Sequence, residues 1–94
     1  MSVVKIAPSI AAADLSRLGW AVEVATQAGA DLIHLDLEDG IFIPNITFGP
    51  ATVRALRPYT DLPFDVHMEL VNPEPYLEDL APVSYTHLTL PTKA

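Results

Sequence analysis

The sequence predicts an α/β domain in which helices cover a parallel sheet, with about three strand–helix units in succession. Segments 31–39 and 64–70 alternate apolar and polar residues with the period of a strand, and segment 14–28 repeats apolar residues with the period of a helix. Strand and helix patterns alternate along the chain, which is typical of parallel sheets. A closed (β/α)8 barrel needs eight such units and ~250 residues. A chain of 94 residues therefore supplies only part of one.

The first unit consists of a strand at residues 3–9 and a helix at 14–28. The strand prediction rests on a short apolar run that Pro8 ends, and we expect this run to be buried. Asp14 is suited to cap the helix N-terminus, and Gly29 is the residue type expected just after its C-terminus.

The second unit contains the most informative strand, at residues 31–39. Successive side chains of a strand point to opposite faces. One face therefore carries Ile33, Leu35 and Leu37, and the other carries His34, Asp36 and Glu38. Gly40 is expected to end the strand, and residues 41–48 to form a loop. Pro50 suits the first turn of a helix over 49–57.

The third unit repeats this pattern with a strand at 64–70. Its apolar face carries Phe64, Val66 and Met68, and its polar face carries Asp65, His67 and Glu69. Residues 72–75 are rich in proline and are expected to turn, and a third helix is predicted from 75 to 80.

The helical pattern is lost at residues 82–94. This stretch resembles the peptide translated from a transposon-end adapter used in DNA sequencing libraries. We expect native sequence to stop near Ala81 and assign no role to His87; the alternative interpretation is an ordinary polar loop.

Composition limits the classes of function. The net charge of −7 argues against nucleic-acid binding, because an acidic chain repels phosphate backbones. A phosphorylated small molecule remains compatible, since helix N-termini bind phosphate through backbone N–H groups. No apolar run reaches the ~18 residues of a membrane span, so we expect no membrane insertion. The lack of cysteine fits the cytoplasm.

Three polar side chains are candidate metal ligands. His34 and Asp36 point the same way from one strand, and His67 lies on the next. In βα folds the C-terminal strand ends carry the site. Two imidazoles and a carboxylate are a plausible set for Zn²⁺, Fe²⁺ or Mn²⁺. The alternative, of about equal weight, is that both histidines are structural and hydrogen-bond Asp36 and Asp65.

Asp36 has a second possible role as a base. A carboxylate beside a metal-polarised carbonyl can take a proton from the adjacent carbon, and the ion stabilises the resulting enediolate. Epimerisation needs a second acid on the opposite face, for which Glu38 and Glu69 are candidates by position only. Ser9 is either a ligand of a substrate hydroxyl or simply a polar strand end.

Several motifs together resemble the ribulose-phosphate 3-epimerase family over roughly residues 4–80. They are KIAPSI at 5–10, GAD at 29–31, HLD at 34–36, DG at 39–40, PNITFG at 44–49 and DVH at 65–67. The resemblance implies a TIM barrel that interconverts ribulose 5-phosphate and xylulose 5-phosphate in the pentose phosphate pathway. It also implies that the full-length parent protein is a homo-oligomer.

The resemblance also implies roles for individual residues. His34, Asp36 and His67 match ligands of a divalent metal (zinc, iron, manganese or cobalt), and Asp36 matches one of two acid/base aspartates. Ser9 and His67 match substrate-contacting residues. The fourth ligand, which is also the second aspartate, and the glycine-rich phosphate site are expected in the later barrel.

Two departures from the family pattern affect the expected substrate. Glu38 and Glu69 stand at or near positions where the family usually has methionines that line the active site. Their negative charge beside a phosphorylated substrate makes an epimerase of another ketose phosphate, such as allulose 6-phosphate, the second choice. A third possibility is that this chain is a non-catalytic truncated fragment.

Overall fold

The computed structural model describes residues 4–80 and 87–89, in which helices and strands alternate. The strands are β1 (Ile33–Glu38), β2 (Phe64–Glu69) and β3 (His87–Thr89). The α-helices are α1 (Leu18–Gln27), α2 (Pro50–Leu56) and α3 (Leu77–Leu80). Short 3-10 turns occupy Ile10–Ala12, Leu15–Arg17, Arg57–Tyr59 and Glu74–Tyr76.

Within the described residues the sheet has the strand order β1-β2-β3, and both pairings are parallel. This confirms the predicted parallel sheet. In the register of β1 with β2, Ile33 lies beside Phe64 and Asp36 beside His67. β3 lies within residues 82–94, where no element is predicted from the sequence. The rest of that range lies outside the described residues, and its non-native origin stays a prediction.

The core lies between one face of the sheet and the helices, as the alternating pattern predicts. The apolar side chains of β1 and β2 are fully or almost fully buried, together with Val22 of α1, Val53 of α2 and Leu80 of α3. The sheet side chains are Ile33, Leu35, Leu37, Phe64, Val66 and Met68. The opposite face of the sheet carries the polar residues, which are only partly buried. This polar face holds the candidate site.

The prediction of a buried strand at residues 3–9 is wrong for the described part, residues 4–9. Ser9 forms a single parallel bridge with His34, and the Pro8 carbonyl accepts from the His34 N–H at 3.0 Å. Val4 and Ile6 are 83% and 61% exposed. Pro8 has no N–H to offer a sheet, and no other strand of the described residues covers this segment. Residue 3 lies outside them.

The first helix is shorter than the predicted range of 14–28, because its first turn is a 3-10 turn and the α-helix covers Leu18–Gln27. Asp14 accepts a hydrogen bond from the Ser16 N–H at 3.0 Å, which caps a 3-10 turn, and the α-helix itself starts only at Leu18. Gly29, at φ 95°, follows the last turn, and the Ala30 N–H reaches back to the Ala25 carbonyl at 3.1 Å. Glycine adopts this backbone conformation without steric cost, which confirms its role as the helix stop.

The later boundaries shift by a residue or a turn. Gly40, at φ 82°, lies beyond the end of β1, as predicted. Pro50 is the first residue of α2, which gives way to a 3-10 turn at Arg57. α3 is likewise preceded by a 3-10 turn, which begins at Glu74. Among the described helices, none has the length and apolar character needed to cross a bilayer.

Candidate metal centre

The three predicted ligands come together on the polar face of the sheet. Asp36 and His67 are register partners in β1 and β2, and His34 precedes Asp36 by two residues. Oδ1 of Asp36 lies 2.9 Å from Nε2 of His34 and 3.3 Å from Nδ1 of His67. One ligand atom from each of the three residues lies within 4.8 Å of the others.

This donor set fits a divalent transition metal. Zinc binds imidazole nitrogen and carboxylate oxygen at about 2.0–2.2 Å, which places neighbouring ligand atoms roughly 2.8–3.6 Å apart in octahedral or tetrahedral geometry. The two distances from Asp36 fall in this range.

Asp65 is the outer partner of His34. Its Oδ2 lies 3.1 Å from Nδ1 of His34, while Nε2 of the same ring faces Asp36. Metal-binding histidines commonly use their second nitrogen in this way, which fixes the tautomer and the ring orientation. The same two contacts are also expected if His34 is a structural histidine that hydrogen-bonds Asp36 and Asp65. The shared Asp36 oxygen, faced by both histidines, favours the metal interpretation.

The electrostatics of the centre favour charged forms when no ion is bound. Burial lowers the pKa of His34, but the carboxylates of Asp65 and Asp36 outweigh it, so the net shift is upward. Burial raises the pKa of Asp36, but hydrogen bonds from His34 and Ser9 bring it below its usual value. Because a metal ligand must be deprotonated, protons and a metal ion would compete for His34, and metal affinity should fall as the pH is lowered.

Ser9 contacts the centre through Asp36. Its hydroxyl donates to Oδ2 of Asp36 at 3.0 Å, on the opposite carboxylate oxygen from the histidines. The single bridge between Ser9 and His34 holds the serine at this position. Its predicted contact with a substrate stays a prediction.

The two glutamates occupy the next rung of the sheet, but their carboxylates differ in position. Glu38 and Glu69 are register partners. Oε1 of Glu38 accepts from the Asn45 side-chain amide at 3.2 Å. Oε1 of Glu69 lies 3.5 Å from Nδ1 of His67. Burial and a hydrogen bond with Asp36 raise the pKa of Glu69.

Thr47 and Asp39 hold the loop after β1 in place. Neither residue was predicted from the sequence to belong to the site. Thr47 Oγ1 donates to the Asp36 carbonyl at 2.5 Å and accepts from the Glu38 N–H at 3.0 Å. Asp39 accepts from the N–H groups of Ile41 and Phe42 at 2.9 and 3.0 Å. The Asp39-Gly40 pair in the sequence could have predicted the Asp39 contacts, because an aspartate side chain often accepts hydrogen bonds from the backbone N–H groups that follow it.

Asp39 also ties this loop to the end of β2, because its Oδ2 accepts from the Val71 N–H at 2.9 Å. The Val71, Ile41 and Phe42 N–H groups hold the pKa of Asp39 below its usual value. A carboxylate whose pKa is lower when folded stabilises the fold above its unfolded pKa, about 3.9, and loses this effect as the pH falls through the folded value.

We therefore expect Asp39→Asn to lower the urea midpoint of unfolding at pH 7, with a difference from the parent chain that shrinks below about pH 4. Urea titrations at pH 7, 5 and 3 measure this. Asp61→Asn, at an exposed aspartate before β2, is the control for a lost charge. A midpoint difference that stays constant from pH 7 to 3 would contradict the assignment.

Comparison with known proteins gives one consistent result. A sequence model of the ribulose-phosphate 3 epimerase family matches residues 5–92. The chain is 54% identical over 76 residues to a ribulose-phosphate 3-epimerase of Synechocystis sp., a match that covers 81% of this chain and 33% of the relative. It is 48% identical over 79 residues to the Bacillus subtilis enzyme, covering 84% of this chain and 36% of the relative.

A plant relative is also similar. The chain is 51% identical over 74 residues to the chloroplastic ribulose-5-phosphate-3-epimerase of Arabidopsis thaliana, which covers 79% of this chain and 26% of the relative. The chain thus spans about a third of the length of the curated relatives it matches.

Proposed function

Because the chain belongs to the ribulose-phosphate 3 epimerase family, we propose that it forms part of an enzyme that interconverts ribulose 5-phosphate and xylulose 5-phosphate. The family has the TIM barrel fold, and parallel strands with helices on one face correspond to part of such a barrel. Its polar face, which carries His34, Asp36 and His67, then faces the barrel interior.

The observation that carries the proposal is the arrangement around one carboxylate. Oδ1 of Asp36 faces ring nitrogens of His34 and His67, and Oδ2 accepts from Ser9. These contacts fix the orientation of the carboxylate, as required of a base that must reach one carbon of a bound sugar.

The residues of this chain have defined tasks in the reaction. His34, Asp36 and His67 would hold a divalent ion; when bound, it polarises the substrate carbonyl and stabilises the negative charge that develops on it. Asp36 takes the proton from C3, which leaves the substrate as an enediolate. A second acid returns a proton to the opposite face of C3 and so inverts it. We assign that acid to an aspartate of the later barrel.

Two other interpretations follow from specific features. Glu38 and Glu69, in place of family methionines, favour a second candidate substrate, another ketose phosphate such as allulose 6-phosphate. We expect no turnover by the 94-residue chain itself, because the second acid/base aspartate and the phosphate site are expected in the later barrel.

A chimeric enzyme tests the proposal. Residues 5–80 replace the matching segment of the Bacillus subtilis relative, and the product is assayed for xylulose 5-phosphate and for solvent deuterium at C3. We expect turnover from the chimera and none from the 94-residue chain. Turnover of allulose 6-phosphate with a higher kcat/KM would favour the second candidate. A folded, metal-loaded chimera that turns over neither sugar would contradict both, and turnover by the 94-residue chain would contradict the need for a later acid.

A further inference from the structure

We propose that Thr47 is a positioning residue for Asp36, because its hydroxyl holds the backbone of β1 where the Asp36 carboxylate extends from it. The inference rests on the proposed function, in which Asp36 is the base, and adds a residue from the loop after β1. Thr47 Oγ1 donates to the Asp36 carbonyl at 2.5 Å and accepts from the Glu38 N–H at 3.0 Å. One hydroxyl thus contacts the backbone on both sides of Leu37.

The edge of β1 beside the N-terminal segment needs a further partner after His34. Alternate residues of a strand direct their backbone groups to the same edge. The His34 N–H donates to the Pro8 carbonyl of the N-terminal segment at 3.0 Å. The backbone groups of Asp36 and Glu38 therefore point to that edge as well. The N-terminal segment leaves it in a 3-10 turn at Ile10–Ala12, so among the described residues its pairing with β1 ends before Asp36.

The chemistry of threonine suits this place. A hydroxyl is both a donor and an acceptor, so one side chain can bind a carbonyl and an N–H group together. Backbone groups away from water need such partners. The Thr47 N–H also donates to the Glu38 carbonyl at 3.3 Å, and Asp39 and Ile46 form an antiparallel bridge next to it. The loop after β1 therefore takes the place of a neighbouring strand at the end of β1.

These contacts affect where the Asp36 carboxylate lies. A hydrogen bond to the Asp36 carbonyl restricts rotation of the planar peptide unit that follows, and so restricts the direction in which the side chain leaves the backbone. Ser9 holds the far end of the same residue, because its hydroxyl donates to Oδ2 at 3.0 Å. Thr47 and Ser9 thus hold the backbone and the carboxylate separately. A base must lie within reach of the proton it takes, and a misplacement of about 1 Å can cost about a hundredfold in rate.

The first test measures kcat and KM of the chimeric enzyme with Thr47→Val, which keeps the shape of the side chain and removes the hydroxyl. We expect kcat to fall by about ten- to a hundredfold while KM stays within about threefold, because the base is less well placed. Thr47→Ser keeps the hydroxyl and should restore kcat to within about threefold of the parent. A kcat in Thr47→Val within about twofold of the parent, or no recovery in Thr47→Ser, would overturn the proposal.

Thr26→Val is the matched control, because the Thr26 hydroxyl also has two hydrogen-bond partners but lies in α1, on the other face of the sheet. Its Oγ1 donates to the Val22 carbonyl at 2.8 Å and lies 2.8 Å from Oγ1 of Thr60. We expect this variant to unfold at a lower urea concentration and to keep the kcat of the parent. An equal fall of kcat in Thr26→Val and Thr47→Val would mean that any weakening of the fold slows the enzyme, and would overturn the proposal.

Amide hydrogen exchange tests the contact itself without turnover. In the metal-free 94-residue chain, NMR measures the exchange rate of the Glu38 N–H, to which the Thr47 hydroxyl is bonded. This rate should rise in Thr47→Val and stay close to that of the parent in Thr47→Ser, because a lost hydrogen bond exposes the amide to exchange. An unchanged rate in Thr47→Val would show that the hydroxyl does not hold the backbone, and would overturn the proposal.

The cobalt-loaded chimera separates this inference from the proposed function. Its visible absorption reports on the geometry of the Asp36 carboxylate, and we expect it to change in Thr47→Val and to return in Thr47→Ser. A parent chimera that binds cobalt but turns over no ketose phosphate would overturn the proposed function. The same pattern of absorption changes would still support the placement of Asp36 by Thr47. A spectrum that is identical in the parent and in Thr47→Val would overturn that placement, whatever the turnover.

Discussion

Replacing Asp36 with asparagine is expected to lower kcat for epimerisation in the chimeric enzyme by about 10⁴-fold. A positioned base contributes roughly 10²- to 10⁴-fold to a proton transfer, and Asp36 is proposed to act both as base and as ligand. Asparagine preserves the shape of the side chain and one oxygen acceptor but cannot take the proton. The loss should therefore be near the upper end of that range, with the fold intact.

The measurement separates the two roles of Asp36. Metal content is determined for each preparation, and kcat and solvent deuterium exchange at C3 are measured with cobalt or manganese in excess. Loss of exchange in the metal-loaded variant assigns the base. The control is Ser9→Ala, which removes one hydrogen bond to Asp36 and should reduce kcat by only about tenfold. A metal-loaded Asp36→Asn variant within tenfold of the parent would show that another residue takes the proton.

Phe64→Ala is the substitution expected to damage the fold most. Phe64 is fully buried at the start of β2, and the Arg57 guanidinium lies 3.8 Å from the centre of its ring. Truncating a buried phenylalanine typically costs about 3–5 kcal/mol, partly because the cavity does not collapse. Whole domains are stabilised by only about 5–15 kcal/mol, and a small one lies at the low end. The variant should be largely unfolded in buffer.

Circular dichroism and urea titration measure this effect. Phe42→Ala is the matched control, since it makes the same chemical change at a residue that is 41% exposed in the loop after β1. Its urea midpoint should stay close to that of the parent. Equal midpoints for the two variants would show that the Phe64 ring is not part of the cooperative core.

Much of this fold follows from local pattern. Alternation alone places Leu35 on the face of the sheet that packs against the helices and Asp36 on the opposite face, because the period of a strand is two residues. The helix-ending Gly29 and the helix-starting Pro50 are equally local, since each depends on backbone conformation at one residue. The same alternation predicts that His34, Asp36 and His67 converge once the strands are parallel.

The remainder depends on contacts distant in sequence. Burial of Ile6 needs a neighbour on both sides of its segment, and an apolar run does not reveal whether that neighbour is present. Glu38 and Glu69 are equivalent by strand pattern, yet Asn45 engages one and His67 lies near the other. The path of the loop decides this difference. For the same reason the sequence does not reveal that Asp39 reaches the Val71 N–H.

The register of β1 with β2 has a consequence for how the two strands find their alignment during folding. A slip of one residue would turn the apolar side chains away from the helices, so burial prevents it. A slip of two residues keeps every side chain on the same face of the sheet, so burial does not disfavour it. In one direction that slip would set His34 beside His67 and Asp36 beside Glu69; in the other it would set Asp36 beside Asp65. In the native alignment each histidine instead lies beside an aspartate. The pairing of the residues proposed for chemistry therefore also disfavours this misalignment.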